Sequence, residues 1–306
     1  MAFYKRVWST IKAYSLISTI RATAWLPLSW AQAIGRQLGK LLIAVNNGNI
    51  RVARYNLQRC LPDWSDAQRE ACARASLLNL GMTVMEAGLS MCWSREKTRQ
   101  YIQPAIGEDH LIALWQQKRG VILVMPHAGN WEILPQALSA QAPLCALYRE
   151  DENPRLDHFI RQSRVRNSVE MAAANQGGVK QLLTRLKAGH TLIVLADHEP
   201  SKGTGVFVPF FGNTAYTGTL VPKLAQKTGA AIVMTMVERL PNAQGFRLRL
   251  MPGPELAHEP DAEKGAALLN VAFEQLILQA PEQFTWNYKR FRRVPAGQKK
   301  NPYRGL

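Results

Sequence analysis

Short, unbroken apolar runs separated by stretches of helical periodicity dominate the chain beyond residue 118. Gly120 is followed by Val121-Ile122-Leu123-Val124-Met125 and then by Pro126, a run bounded by strand punctuation that predicts a strand covered on both faces. Leu144 to Tyr148, Thr191 to Ala196 and Ala230 to Val237 repeat the pattern, with helical segments such as Val179 to Leu186 and Leu220 to Lys227 between them. Strands alternating with helices predict an α/β fold with a mostly parallel central sheet flanked by helices. Phe246 to Met251 differs: Phe246, Leu248 and Leu250 alternate with Arg247 and Arg249, as expected of a half-exposed edge strand. A helix over roughly Asp261 to Gln279 and a basic tail close the chain.

The first hundred residues read as helical throughout. Ser65 and Gln68 have the spacing of a capping box, and the apolar pattern behind them continues through Leu77, Leu78 and Met82. Residues 1–50 mix Lys5, Arg6, Lys12, Arg21, Arg36 and Lys40 with Trp8, Tyr14, Trp25 and Trp30, the composition of a helical arm lying in a membrane interface. An ordinary amphipathic helix with a basic outer face fits the same residues. The longest apolar stretch, Ala13 to Gly35, contains Arg21 and Pro27, which favours lying on the surface over spanning, and Arg21 also interrupts any signal-peptide pattern. The expected division is therefore a membrane-associating arm over 1–50 and an α/β domain over 51–306.

Charge narrows the partners. The 306 residues carry 38 Lys plus Arg against 22 Asp plus Glu, a formal charge of +16, so an acidic partner is expected. Cys60, Cys72, Cys92 and Cys145 are far apart and in no CxxC or Cys/His spacing, which argues against a disulfide scaffold and a structural zinc site. No zinc-finger, RNP-like or helix-turn-helix pattern accompanies the basic residues, so nucleic acid is not the expected ligand, although a basic membrane- or nucleic-acid-binding protein is the non-enzyme alternative.

The chemistry concentrates in Pro126-His127-Ala128-Gly129-Asn130-Trp131-Glu132, where the first buried strand ends and a helix begins. His127 and Glu132 are five positions apart and would not share a face of one helix, so they meet only if the chain turns at Gly129, with Asn130 capping a helix that starts at Trp131 and Glu132. An imidazole with a carboxylate partner is suited to deprotonating an alcohol near neutral pH. With no GxSxG and no Cys near His127, direct attack of a substrate hydroxyl on an acyl donor is expected rather than a covalent acyl-enzyme. His198 beside Asp197 and Glu199 is the other candidate metal cluster, and it lacks a further ligand at zinc spacing.

The His-x4-Glu pair resembles the hallmark of the lysophospholipid-acyltransferase-like superfamily, and its glutamate form resembles the lipid A late acyltransferases, the Kdo-dependent lauroyl and myristoyl transferases. Further segments are similar in order along the chain. They are Asn56-Leu57 with Pro62, Gly81 to Glu86, Tyr148-Arg149 with Asn153-Pro154, Arg164-Val165-Arg166, Ala196-Asp197-His198, Phe207 to Gly212, and Pro281 to Phe284 with Trp286, Arg290-Phe291 and Pro295. The resemblance implies a membrane-associated O-acyltransferase at the cytoplasmic face of the inner membrane. Such an enzyme moves a fatty acyl group from acyl carrier protein, or from acyl-CoA, to a hydroxyl of an anionic, phosphorylated lipid A precursor, with no cofactor beyond the thioester co-substrate. Acylation of another lipid is the alternative within the same chemistry. His127 is then the general base and Glu132 the group that orients it. Arg149, Asn153, Arg164, Arg166 and Asp197 are the expected substrate-binding residues, the arginines as phosphate clamps or a solvated basic face. Asp197 is open between positioning Arg149 or the acceptor hydroxyl and capping a helix. Phe207 to Tyr216 is expected as a loop lining an acyl groove, with packing beneath the sheet the other reading, and Trp286, Arg290, Arg292 and Arg293 as headgroup contacts or a solubilising tail.

Overall fold

The computed structural model describes residues 2–46, 48–138, 140–148, 150–297 and 301–306, and the backbone alone for residues 2–7. Six helices come first: α1 (Ala2–Thr23), α2 (Leu28–Ala44), α3 (Gly48–Cys60), α4 (Asp66–Met85), α5 (Ala87–Cys92) and α6 (Arg95–Arg99). Strands and helices then alternate through β1 (Ile102–Ile106), α7 (Glu108–Gln116), β2 (Val121–Met125), α8 (Leu134–Leu138), β3 (Leu144–Tyr148), α9 (Pro154–Arg166), β4 (Val169–Ala173), α10 (Gln176–Lys187) and β5 (Thr191–Leu195). The hairpin β6 (Gly205–Phe210) and β7 (Asn213–Gly218) precedes α11 (Leu220–Thr228), β8 (Ala231–Arg239), β9 (Phe246–Pro252) and α12 (Ala262–Ile277). The capping box at Ser65 is present in full.

Seven strands form one sheet in the order β1-β9-β8-β2-β5-β3-β4, parallel throughout except for β8 against β9. β2 lies near its centre, and all five of its residues are 0% exposed because its two faces enter two different cores. Ile122 and Val124 pack with Leu182 of α10 and Phe273 and Leu276 of α12. Val121, Leu123 and Met125 pack with Leu111 and Leu114 of α7 and Ile133 and Leu134 around α8. This two-sided burial is why β2 reads as an unbroken apolar run.

The edge assignment of Phe246 to Met251 is corrected. The alternation is real, with Phe246, Leu248 and Leu250 buried and the two arginines half-buried, but β1 pairs outside β9 and takes the edge. β1 carries Pro104 at its centre, which hides it from a strand pattern and suits an edge, where a missing N–H leaves no ladder bond unmade.

The N-terminal helices are two-faced. α2 crosses α4 where Gly35 and Gly39 meet Gly81, so close that a Cβ on Gly81 would lie 2.1 Å from the Gly35 carbonyl oxygen. Ile17 and Ile20 of α1 pack with Phe159 of α9. On the outside, Trp25 is 89% and Trp30 65% exposed, with Tyr14, Leu41 and Val45 also open to solvent. Among the described residues no helix is long and apolar enough to cross a membrane.

One buried ion pair ties these layers together. Arg239, at the end of β8, donates from Nε to Glu86 Oε1 at 2.7 Å and from Nη2 to Glu86 Oε2 at 2.6 Å. Its remaining donors reach Asn79 and Thr83 of α4, while Glu86 also accepts from Gln32 of α2 and from Asn130 in the loop after β2. Glu86 is fully buried and Arg239 nearly so, so neither charge has water to fall back on. Glu86→Ala, which strands the guanidinium, is expected to lower the unfolding free energy by about 3–5 kcal/mol in urea titration. Glu70→Ala, which opens the half-exposed pair with Arg54, should cost less than about 1 kcal/mol.

Candidate active site

Two neighbouring parallel strands bring the central pair of residues together. Met125 of β2 is in register with Leu195 of β5, and His127 and Asp197 each lie two residues beyond. Distant in the chain, they meet at the carboxyl ends of the strands, where open α/β sheets carry their sites. His127 Nδ1 lies 2.7 Å from Asp197 Oδ1, and the His127 backbone N–H donates to Asp197 Oδ2 at 3.0 Å. One carboxylate thus holds both the ring and the main chain of the same residue.

The turn after His127 is fixed from two sides. Gly129 has φ +62°, and a Cβ there would lie 1.8 Å from the Val237 carbonyl oxygen of β8, so only glycine fits. Asn130 N–H donates to that same carbonyl, Gly129 N–H to Gln283 O, and Thr285 N–H to His127 O. The Asn130 side chain does not cap the 3-10 turn Trp131–Ile133 as expected; it donates to Glu86 and accepts from Ser90 instead.

The carboxylate on the imidazole is therefore Asp197, and this corrects the expectation for Glu132. Glu132 faces Arg164 of α9, with Arg164 Nη2 at 3.2 Å from Oε1 and 3.4 Å from Oε2. The sequence spacing made Glu132 the nearest acid along the chain; the parallel register makes Asp197 the nearest in space.

Asp197 is fully enclosed. Burial alone would push its carboxyl upward, but the charge and hydrogen bond of His127, with a smaller contribution from His198, outweigh this and hold it well below the ordinary carboxylate range. An ionised carboxylate only accepts, so His127 Nδ1 carries a proton, and when the ring is neutral it is Nε2 that presents the lone pair.

A column of rings stands on this pair. His198 stacks on His127 with centroids 3.7 Å apart and planes 7° from parallel, and Tyr288 stacks on the far face of His198 at 3.6 Å and 10°. Trp131 meets the His127 ring edge-on at 5.1 Å. His127, Trp131, His198, Thr285, Tyr288 and Arg292 are among the residues that line a cleft of about 460 Å³. Burial pushes His198 down to about 4, against the pull of Asp197 and with the help of His127 and Arg290, so it is neutral at physiological pH.

His127, Asp197 and His198 place ligand atoms within 4.8 Å of one another, a spacing that a cation could use. Imidazole lone pairs lie in the ring planes, and stacked parallel rings direct them along separate planes rather than toward one point. Asp197 already gives an oxygen to each of the two His127 donors. The trio fits a hydrogen-bonded stack better than a metal centre.

The remaining expected residues are distributed more widely. Asn153 caps α9, accepting from Arg155 N–H, and its amide donates to Ser9 of α1, so it anchors the N-terminal helix. Arg166 donates to the Cys92 carbonyl at the end of α5. Arg164 lies over the Tyr148 ring as well as against Glu132. Arg149 lies outside the described residues. Phe207 to Tyr216 is the β6-β7 hairpin, not a loop, and Phe210 is buried with Phe291 behind it. Trp286 and Arg290 are buried, Arg290 donating to Tyr216 O and Thr217 Oγ1, while Arg292 and Arg293 both reach Glu199. Asn56 of α3 donates to the carbonyls of Trp286 and Tyr288 and accepts from Tyr303, bolting the C-terminal wall of the cleft to the N-terminal helices. His198, Tyr288 and Thr285 carried no signal in the sequence that set them beside His127.

The fold is that of an α/β protein with a mostly parallel sheet, and a His–Asp pair at the mouth of that sheet beside a cleft is an arrangement that can take a proton from a hydroxyl. The chain belongs to the bacterial lipid A biosynthesis acyltransferase family, whose model matches residues 3–293, and is an acyltransferase of lipid A biosynthesis. It is 30% identical to the lipid A biosynthesis lauroyltransferase of Escherichia coli K12, over 89% of this chain and 88% of that one. It is 28% identical to the palmitoleoyltransferase of the same organism, over 87% and 86%, and 23% identical to the myristoyltransferase, over 94% and 87%.

His198 gives the fold an acid sensitivity. Between its ordinary 6.5 and about 4, the unfolded chain binds a proton that the folded chain refuses, so stability falls as pH is lowered across that window. The fall is roughly 3 kcal/mol. Urea unfolding of His198→Phe at neutral pH and at about pH 4.5 should show a smaller loss on acidification than wild type.

Proposed function

We propose that this protein transfers a fatty acyl group from acyl carrier protein to a hydroxyl of a phosphorylated lipid A precursor, with His127 as general base. The observation that carries the reading is the hydrogen bond between His127 Nδ1 and Asp197 beside the open cleft. The acceptor O–H gives its proton to His127 Nε2 as its oxygen bonds to the thioester carbonyl carbon. The carbonyl oxygen carries the negative charge of the tetrahedral intermediate. Collapse breaks the C–S bond, and the proton held on His127 passes to the leaving thiolate. Asp197 fixes the tautomer and neutralises the imidazolium between these steps.

Glu132 and Arg164 then act as a unit at the side of the site. Trp131 lines the cleft, its neighbour Glu132 holds the Arg164 guanidinium, and that fork is suited to a phosphate oxyanion of the substrate. Arg149 and Arg166 are secondary candidates for the same anion, and Asn153 contributes by placing α1 on α9. The formal charge of +16 complements both an acidic carrier protein and a phosphorylated acceptor. The exposed Trp25 and Trp30, with Arg21, Arg36 and Lys40 nearby in the chain, support an interfacial position on the cytoplasmic face of the inner membrane.

Detergent-solubilised protein, supplied with acyl-acyl carrier protein or acyl-CoA and a phosphorylated lipid A precursor, should yield an ester product visible by mass spectrometry, with the carrier-protein donor preferred. His127→Ala and Asp197→Asn should lower kcat by about a hundredfold to ten-thousandfold with little change in KM. Arg164→Ala should act mainly on KM for the acceptor. Full turnover in His127→Ala would overturn the mechanism. Replacing Trp25 and Trp30 by Ala should reduce co-sedimentation with vesicles containing anionic lipid, and binding equal to wild type would remove these residues from the membrane contact.

A further inference from the structure

His198 sits directly after Asp197 in the chain, yet among the described residues its buried Nε2 has no hydrogen-bond partner. What the ring does have is a neighbour on each face. His127 lies 3.7 Å away at 7° and Tyr288 3.6 Å away at 10°, measured between ring centres and planes. The outer plate of this column is itself fixed. The Tyr288 hydroxyl accepts the Glu199 N–H at 2.9 Å and the Tyr288 carbonyl accepts Asn56 Nδ2 at 2.7 Å, so the column spans from β5 to α3.

A single hydrogen bond from Nδ1 to Asp197 fixes one atom of the His127 ring but leaves the ring plane free to rock about that contact. A flat neighbour pressed against the face removes this freedom, and Trp131 adds a T-shaped contact with ring centres 5.1 Å apart. The direction of the Nε2 lone pair, on which proton transfer depends, is then set by stacking as much as by the carboxylate. We propose that His198, held between His127 and Tyr288, is a positioning residue that fixes the plane of the general base through ring stacking, and not an acid, base or metal ligand. The assignment rests on His127 being the base.

The chemistry of the ring suits this task. When His127 accepts the proton, the ring against its face must not be a second cation, and the neutral state of His198 satisfies this. A neutral π face over a cation is attractive, so the stack tolerates both protonation states of His127.

Steady-state kinetics on the intact, detergent-solubilised protein separate the possibilities. His198→Leu, which keeps volume but not the flat ring, should lower kcat about tenfold to a hundredfold while KM for donor and acceptor stays near wild type. His198→Phe should recover most of that loss. Tyr288→Leu and Tyr288→Phe should repeat the pattern in weaker form, which guards against a folding defect peculiar to one position. In proton NMR, the low-field resonance of the His127 Nδ1–H should persist in His198→Phe and broaden or vanish in His198→Leu. Equal losses in His198→Phe and His198→Leu would show that the nitrogens matter and overturn the proposal, as would wild-type kcat in His198→Leu. If His127→Ala itself retains turnover, the base assignment falls and the positioning role with it. If His127→Ala is inactive while His198→Leu is not, only the positioning role falls.

Discussion

A guanidinium and a carboxylate shut away from water hold this molecule together at the point where its layers meet. Arg239 closes β8, Glu86 caps the carboxyl end of α4, and the side chains that satisfy them belong to elements that must be in place for the site to exist. Gln32 brings α2, and Asn130 brings the loop beyond His127. A buried ion pair of this kind adds little net stability over an apolar packing, because desolvation of both ions offsets most of their attraction. Its effect is on uniqueness: with every partner in position both charges are satisfied, and any displacement of the loop leaves an acceptor without a donor. The loop beyond His127 is therefore held in part by a charge pair some distance from the imidazole.

The sheet was legible in the chain because its central strands are buried on both faces and leave unbroken apolar runs. β1 and β4 left none. β1 is interrupted by Pro104, and Val169-Glu170-Met171-Ala172-Ala173 buries only its first and fourth residues. The β6-β7 hairpin was masked by Pro209 and by the Phe211-Gly212 turn, which read as loop chemistry.

His127 was legible for the same reason as β2, since a polar residue just beyond a buried strand stands out. Its acid was not, because local spacing ranks acids by distance along the chain, and Glu132 wins that ranking. Which strand lies beside β2 is decided by the packing of the whole sheet. The order places β5 there, and with it Asp197 and His198. Tyr288 and Thr285 were hidden in the same way, arriving from a segment that the spacing of motifs treats as a tail.

That late segment has a consequence for how the protein comes into being. Thr285 pins the His127 carbonyl, and Tyr303 and the carbonyls at 286 and 288 all close on Asn56. A nascent polypeptide emerging from the ribosome in order can build β2 and β5 early, but its cleft has no rear wall until the stretch from Thr285 to Tyr303 has cleared the exit tunnel. Competence is thus conferred late in synthesis, and a product stopped before that stretch would expose the seam along α3 rather than a half-working centre.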